Sequence, residues 1–372
     1  QEFVAVFGSC KLDQEKLDFA PRFIHLEELY LWMFISKYSE GGNPYVKGMI
    51  EYIYSEFTKT NHIEKSDVTI AENEAMPENS FMQGIVAPTF CKSRNNKRFK
   101  IALASIYIDE EKDVVPVLKN PHHNLTPSRK AELYTMLNEA KTKGAQFIVF
   151  PEFFMPLQWL NEILTFSRKN QIAIIGGLRY LVSGNRAYNY FSVMQPFGSG
   201  FYKYSVPLFR EKNYYAPAEV IELAREHIDC VDPENKTTHY ISWNGLRYSS
   251  LMCYELTNIE YRYQMRGLVD LLVVPELNKD TNYFANIVES TTRDLHSFVV
   301  QVNTSKYGDS RITGPYNTLF KDIIKLKGGE DNMLLTGSID VMELEQNRNS
   351  YMKEMEEKKK AAWDGTLPTK PP

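Results

Sequence analysis

Three short stretches carry residue types that can do chemistry at a turn of the chain. Ser249-Ser250-Leu251-Met252-Cys253-Tyr254-Glu255 reads as a buried strand ending on a thiol, with a helix starting near Thr257. A cysteine there sits beside backbone N–H groups and a positive helix end, which favour its thiolate. The N–H of Tyr254 is then available to an oxyanion. The plainer reading is a small buried core residue, the commonest fate of a free cysteine. In Phe147-Ile148-Val149-Phe150-Pro151-Glu152-Phe153-Phe154 a strand runs into a carboxylate set among aromatic rings. Desolvation would lift the Glu152 pKa toward that of a general base, whereas an ordinary loop glutamate points to water. The third stretch, Gly200-Phe201-Tyr202-Lys203-Tyr204-Ser205-Val206-Pro207, holds one lysine in a strand-like aromatic run, where a solubilising edge lysine is the usual explanation. Glu211, eight residues on, would ordinarily face solvent.

The elements that must position these groups alternate along the chain. Strand-like runs lie at 99–106, 146–150, 172–176, 248–252, 271–274 and Phe298–Val302, with helical segments between several of them. One helix opens at Thr126-Pro127, an N-cap followed by proline in the first turn. Another covers about 281–296 and places Glu289 and Arg293 one turn apart. Such alternation predicts a layered α/β domain. Ahead of it, 26–38 is apolar almost all round, 44–57 carries one apolar stripe, and the chain turns polar and patternless from 58 to 82. The expected organisation is a helical N-terminal segment and linker at 1–95, the α/β domain at 96–343 and a charged tail at 344–372.

Composition narrows the function classes. Of 372 residues, 43% are hydrophobic and 24% charged, the balance of a globular chain of one to three domains. No apolar run approaches the ~18–20 residues that span a membrane. A net charge of -4 supplies no field for nucleic acid. Five basic residues (Lys92, Arg94, Lys97, Arg98, Lys100) read as a solvated linker. Cys10, Cys91, Cys230 and Cys253 form no CxxC pair, so neither a disulfide framework nor a zinc site is expected, and a reducing, cytoplasmic setting is the default. His122-His123 reads as a surface turn, and phosphate-binding glycine loops are absent from the sequence.

Taken in order, Pro151-Glu152, the aromatic run holding Lys203, and Cys253-Tyr254-Glu255 resemble the nitrilase, or carbon–nitrogen hydrolase, superfamily over residues 99–341. Ile101-Ala102-Leu103-Ala104, Gly176-Gly177, Tyr188-Asn189-Tyr190, Pro275-Glu276, Thr292-Arg293, Gln301-Val302-Asn303 and Gly308-Asp309-Ser310-Arg311 resemble its further segments. The resemblance implies a four-layer αββα sandwich, here preceded by a small helical segment. It implies Glu152 as general base, Lys203 as oxyanion-stabilising cation, Cys253 as nucleophile and Glu211 as a second, positioning glutamate. Asn189, Phe153 and Tyr254 are then candidates for contact with substrate. No metal or other cofactor is implied. Two segments depart from the family pattern. Tyr254-Glu255-Leu256-Thr257-Asn258-Ile259-Glu260 stands in place of Tyr-Asp-x-Arg-Phe-Pro, and Lys203-Tyr204-Ser205-Val206 in place of Lys-x-His-Leu.

The activity implied is hydrolysis of a small-molecule amide, with nitrile as the lesser option, through a thioester on the cysteine. The competing class is a nitrilase-fold assembly scaffold whose catalysis is vestigial. In the family, protomers pair through the helix after the cysteine. At 257–266 that helix mixes Ile259, Tyr263 and Met265 with Glu260, Arg262 and Arg266, which suits a homodimer or higher oligomer. The extra residues before 96 resemble the arrangement of bacterial proteins in which a nitrilase-like domain follows a reverse transcriptase, some of them serving in defence against phage. A nucleic-acid partner would enter only through such a preceding domain. No Tyr-x-Asp-Asp box is present, so that likeness is one of architecture.

Overall fold

The computed structural model describes Leu31, Phe34 and residues 82–86, 98–199, 202–233, 236–316 and 319–363. The expected helix at 44–57, most of that at 26–38, the polar stretch from 58, and Cys10 and Cys91 lie outside these residues. The chain runs β1 (Met82–Val86), β2 (Arg98–Ser105), α1 (Pro127–Thr142), β3 (Phe147–Val149), α2 (Leu160–Asn170), β4 (Ala173–Gly177), β5 (Leu181–Ser183), β6 (Arg186–Tyr188), β7 (Tyr190–Ser199), β8 (Tyr202–Glu211) and α3 (Pro217–Arg225). It continues through β9 (Asp229–Cys230), β10 (Thr238–Trp243), β11 (Leu246–Ser250), α4 (Ile259–Met265), β12 (Leu271–Pro275), α5 (Thr281–Leu295), β13 (Phe298–Val302), β14 (Ser310–Thr313), β15 (Asp322–Leu326), β16 (Met333–Asp340) and α6 (Val341–Trp363).

Two large sheets result, ordered β16-β2-β3-β4-β7-β8 and β1-β10-β11-β12-β13-β14-β15, with β5-β6-β9 as a small third sheet. Period-2 alternation assigns the faces. Phe99, Ile101 and Leu103 of β2 share one core with Leu271 and Val273 of β12 and Phe298, Val300 and Val302 of β13, so these faces meet between the sheets. Phe147 stands edge-on to Trp243 and Tyr248 across that seam, at 5.2 and 5.4 Å between centroids. Ala102 and Ala104 turn the other way, into a core with Leu133 and Leu137 of α1 and Ile163 and Leu164 of α2. Leu272, Val274 and Val299 turn onto Tyr261 of α4 and Val288 of α5. The layers are therefore αββα, as expected. Strands buried on both faces also explain why the sequence shows near-continuous apolar runs there.

Local signals account for the ends of elements. Thr126 Oγ1 accepts the Arg129 N–H at 3.3 Å with Pro127 in the first turn of α1. Asp280 accepts from Tyr283 N–H at the start of α5. β1 joins the seven-stranded sheet beside β10, so residues before 96 contribute a strand. Leu31 and Phe34 are helical, and Phe34 stacks on Phe209 of β8 at 3.8 Å. At the other end Leu344 enters the core between the sheets. Arg348 donates to the carbonyls of Val269 and His296 and to Asp270 at 2.8–2.9 Å. The start of the expected tail is thus packed. Among the described residues no helix is long and apolar enough to cross a membrane, and no cluster of three metal-ligating side chains occurs.

Candidate active site

The parallel strands β2-β3-β4 and β11-β12-β13 end on the same side as the last residue of β8. The ends of parallel strands are where layered α/β proteins collect ligand groups. Glu152 leaves β3 through Phe150-Pro151, and the chain folds tightly over Gly177. A Cβ on that glycine would stand 2.8 Å from Cα of Glu152, so the turn's close approach requires glycine. Phe153 follows with φ 61°, buried and tilted against Tyr180 at 4.6 Å. The N–H of Glu152 donates to the carbonyl of Glu276, just past β12, at 3.3 Å.

The buried carboxylate of Glu152 meets Lys212, not Lys203. Lys212 Nζ donates to Glu152 Oε1 at 2.8 Å and to Glu219 Oε2 at 2.6 Å. Asn189 Nδ2 spans the same two carboxylates, at 2.8 Å to Glu152 and 3.0 Å to Glu219. Two donors and two acceptors thus close a ring, and Tyr180 adds an O–H to Glu219 at 2.7 Å. Asn189 also fixes the backbone, its carbonyl taking the Lys212 N–H at 2.8 Å and its N–H reaching Tyr215 Oη at 3.1 Å.

Lys203 lies elsewhere. It pairs with Gly198 next to the turn of the β7–β8 hairpin, is exposed, and donates to the Lys169 carbonyl at 3.3 Å. There it is a cation at the C-terminus of α2, a favourable place for positive charge. Nine residue steps separate it from Lys212, roughly 30 Å at about 3.3 Å each. Glu211 is likewise not part of the ring. It sits on β8 opposite Tyr190, whose Oη donates to it at 2.5 Å. The ring members that the sequence reading did not name are Lys212 and Glu219. Their signal was present in Arg210-Glu211-Lys212-Asn213-Tyr214-Tyr215-Ala216-Pro217-Ala218-Glu219, a lysine just past a strand and a glutamate in the first turn of a proline-started helix.

Cys253 occupies a turn of φ 47°, followed by a 3₁₀ turn (Cys253–Thr257) that leads into α4. The N–H groups of such a first turn lack partners within the helix, which leaves that of Tyr254, a half-buried residue, pointing out of the turn's start. Cys253 Sγ is buried and donates to the Leu277 carbonyl at 4.0 Å. Burial pushes the thiol well above its ordinary value; Glu152 pushes the same way and Lys212 opposes. The resting group is therefore a neutral thiol, contrary to the thiolate suggested by the turn alone. Burial also lifts Glu152, with Lys212 opposing and Glu219 reinforcing. For Lys212, burial works against the charge, but Glu152 and Glu219 outweigh it and hold the ammonium protonated. Cys230, the other described cysteine, is half-buried and also pushed up by burial.

A buried acceptor for a thiol proton, a fixed cation and a neutral thiol at a strained turn can together add sulfur to an electrophilic carbon. No protein-family model matches the sequence, and no curated protein matches it. Among solved structures, an amidase from Nesterenkonia sp. is similar at 17% identity over 72% of this chain and 100% of that one, with a TM-score of 0.49. A mutant of the Nesterenkonia AN1 amidase, described as from the nitrilase superfamily, aligns at 18% identity over 70% and 97% of the two chains, with a TM-score of 0.48. A further mutant of that amidase carries the acetamide moiety of fluoroacetamide on its active-site cysteine, at 17% identity over 71% and 98%, with a TM-score of 0.48.

Proposed function

We propose that this chain is a cysteine-dependent carbon–nitrogen hydrolase that cleaves a small-molecule amide through a thioester, with Glu152, Lys212, Cys253 and Glu219 as its working set. The observation that carries the reading is the buried ring of Glu152, Lys212, Glu219 and Asn189, whose charges act directly on the Cys253 thiol. A scaffold has no use for such a set, because buried charges are costly to keep.

Because the thiol is neutral at rest, proton removal accompanies attack. Sγ bonds to the amide carbon as its proton passes to Glu152. The Lys212 ammonium and the Tyr254 N–H hold the oxyanion. Collapse breaks the C–N bond, and Glu152 returns the proton to the departing amine. Water, losing a proton to Glu152, then attacks the thioester carbon; the C–S bond breaks and the thiol recovers that proton. Glu219 and Asn189 touch no reacting atom in this scheme and position Lys212 and Glu152.

Fluoroacetamide and simple aliphatic amides are direct probes. Intact-mass and peptide mapping should find an adduct on Cys253, with ammonia release from acetamide. Lys212→Met and Glu152→Gln should abolish both, and Lys203→Met should leave both unchanged. Turnover retained in Cys253→Ala, or lost equally in Lys203→Met and Lys212→Met, would refute the assignment. On the outer face Ile259 and Tyr263 of α4 are each 73% exposed, which supports a homodimer or higher oligomer through this helix. Attachment behind a reverse transcriptase would make this hydrolase the C-terminal part of a larger polypeptide, which the mass of the native gene product tests.

A further inference from the structure

Three carboxyl groups are gathered around Cys253, and they are not treated alike. Glu152 and Glu219 both take N–H bonds from Lys212. Glu276 is fully buried, and its carboxyl takes a bond from a neutral group, Gln301 Nε2 to Oε2 at 2.9 Å. The remaining oxygens of that pair, Glu276 Oε1 and Gln301 Oε1, are both buried and without a partner. Two orphaned acceptors on two facing groups is an unusual debt for a protein interior. An ionised carboxylate would deepen it, since it brings acceptors only.

One proton resolves the arrangement. As a carboxylic acid, Glu276 gains an O–H on Oε1 that can donate to Gln301 Oε1, while Gln301 Nε2 donates to Oε2. The pair closes into an acid–amide ring with both orphans satisfied. We infer that Glu276 is held as a neutral acid paired with Gln301 and is the positioning residue beneath the Glu152 turn. Its backbone carries the support: its N–H is fixed to the Val302 carbonyl at 2.8 Å, and its carbonyl receives the Glu152 N–H.

The surroundings agree. Burial pushes the Glu276 carboxyl up to about 8; the Gln301 bond and Arg311 oppose this, and Glu152 and Asp309 reinforce it. The facing groups are Glu152 beyond β3, Cys253 beyond β11, and Asp309 and Arg311 around β14. From α5, Glu289 is taken by Lys321 and drawn also toward Arg311. Deprotonation of Glu276 would place a further negative charge beside Glu152 and Cys253, delaying thiolate formation in alkaline solution.

The catalytic consequence rests on the proposed function, but the protonation state can be read without turnover. Infrared spectra of the whole protein at pH 6 should contain the carbonyl stretch of a buried protonated carboxyl, which titrates away around pH 8. Glu276→Gln should lose that band yet stay as stable as the parent at pH 6, because a glutamine can make the same ring as an amide pair. Glu276→Leu should be destabilised, and the swap Glu276→Gln with Gln301→Glu should restore the band. Alkylation of Cys253 at pH 9 should run about threefold to tenfold faster in Glu276→Gln than in the parent, equivalent to roughly half to one pKa unit. No band difference between the parent and Glu276→Gln would overturn the inference. So would a Glu276→Gln protein as unstable at pH 6 as Glu276→Leu, the result expected if an ionised Glu276 were joined through water to the unpartnered Nη1 of Arg311. A missing amidase activity with the infrared pattern intact would count against the function alone.

Discussion

Glu255 is the perturbation with the widest expected reach. Its carboxylate is fully buried and accepts four bonds: Arg210 Nη1 and Nη2 at 2.8 and 2.7 Å, the Met252 N–H at 2.6 Å and the Asn213 N–H at 2.5 Å. Met252 precedes the candidate nucleophile and Asn213 follows the candidate cation, so one side chain sets the spacing of Cys253 and Lys212. Glu255→Gln keeps the shape and removes the charge. It leaves the Arg210 guanidinium buried without its counter-ion, a loss of about 3–5 kcal/mol. That loss includes the amide NH₂ set against a donor, an unsatisfied buried group accounting for about 1–3 kcal/mol of it. The single variant should therefore lose about 3–5 kcal/mol in urea unfolding at constant m-value, and its Cys253 should lose selective reactivity. Arg210→Met should be costly alone. The double variant Arg210→Met with Glu255→Gln should be less damaged than the sum of the two, because the uncompensated charge has gone. Glu255→Gln within about 1 kcal/mol of the parent, with unchanged alkylation, would refute the clamp. So would strict additivity in the double variant.

Three further outcomes follow from the same geometry. Gly177→Ala should cost about 1–3 kcal/mol and slow any hydrolysis, since its Cβ meets Cα of Glu152 at 2.8 Å and Phe153 N at 3.0 Å; an unchanged melting temperature and rate would contradict this. His239 is buried, and burial first, then Arg210, push its imidazole down to about 3. The unfolded chain thus binds the proton more readily, and this contribution to stability is complete above about pH 6.5 and lost as pH falls toward 3. Urea midpoints at pH 7 and pH 4 should differ less in His239→Gln than in the parent. Tyr263→Asp should shift the sedimentation coefficient toward that of a monomer at micromolar concentration, and a parent already monomeric would remove that expectation.

The layered α/β architecture was legible because burial on both faces writes itself as short apolar runs, as in Leu271–Pro275 and Phe298–Val302. The Thr126-Pro127 start was legible for a local reason, a capping hydroxyl with proline behind it. Glu152 and Cys253 were legible because each sits directly beyond such a run. Lys212 was not, because β8 is a ten-residue strand with a lysine near its start and another just past its end. Only pairing with β7 reveals which end faces the carboxylates. Glu219 depends on a helix turning back toward Tyr180 and Asn189, and Glu255 on an arginine 45 residues away; neither relation is local. The thiol's resting state divides in the same way, since the turn's polarity is local and the burial and carboxylates that oppose the thiolate are not.

β16 pairs with β2 over eight residues, from Met333 with Ser105 to Asp340 with Arg98, across more than two hundred residues of sequence. It leaves the seven-stranded sheet's half of the chain, closes the six-stranded sheet, and continues into α6, whose Arg348 returns to grip the loops beneath β12 and β13. During synthesis, then, β2 waits with an open edge while nearly the whole domain is made. Such an edge invites pairing with other chains, and its late closure makes folding depend on contacts of high sequence separation. A chain stopped before Met333 would keep every member of the candidate site and still lack the stitch that holds its two halves together.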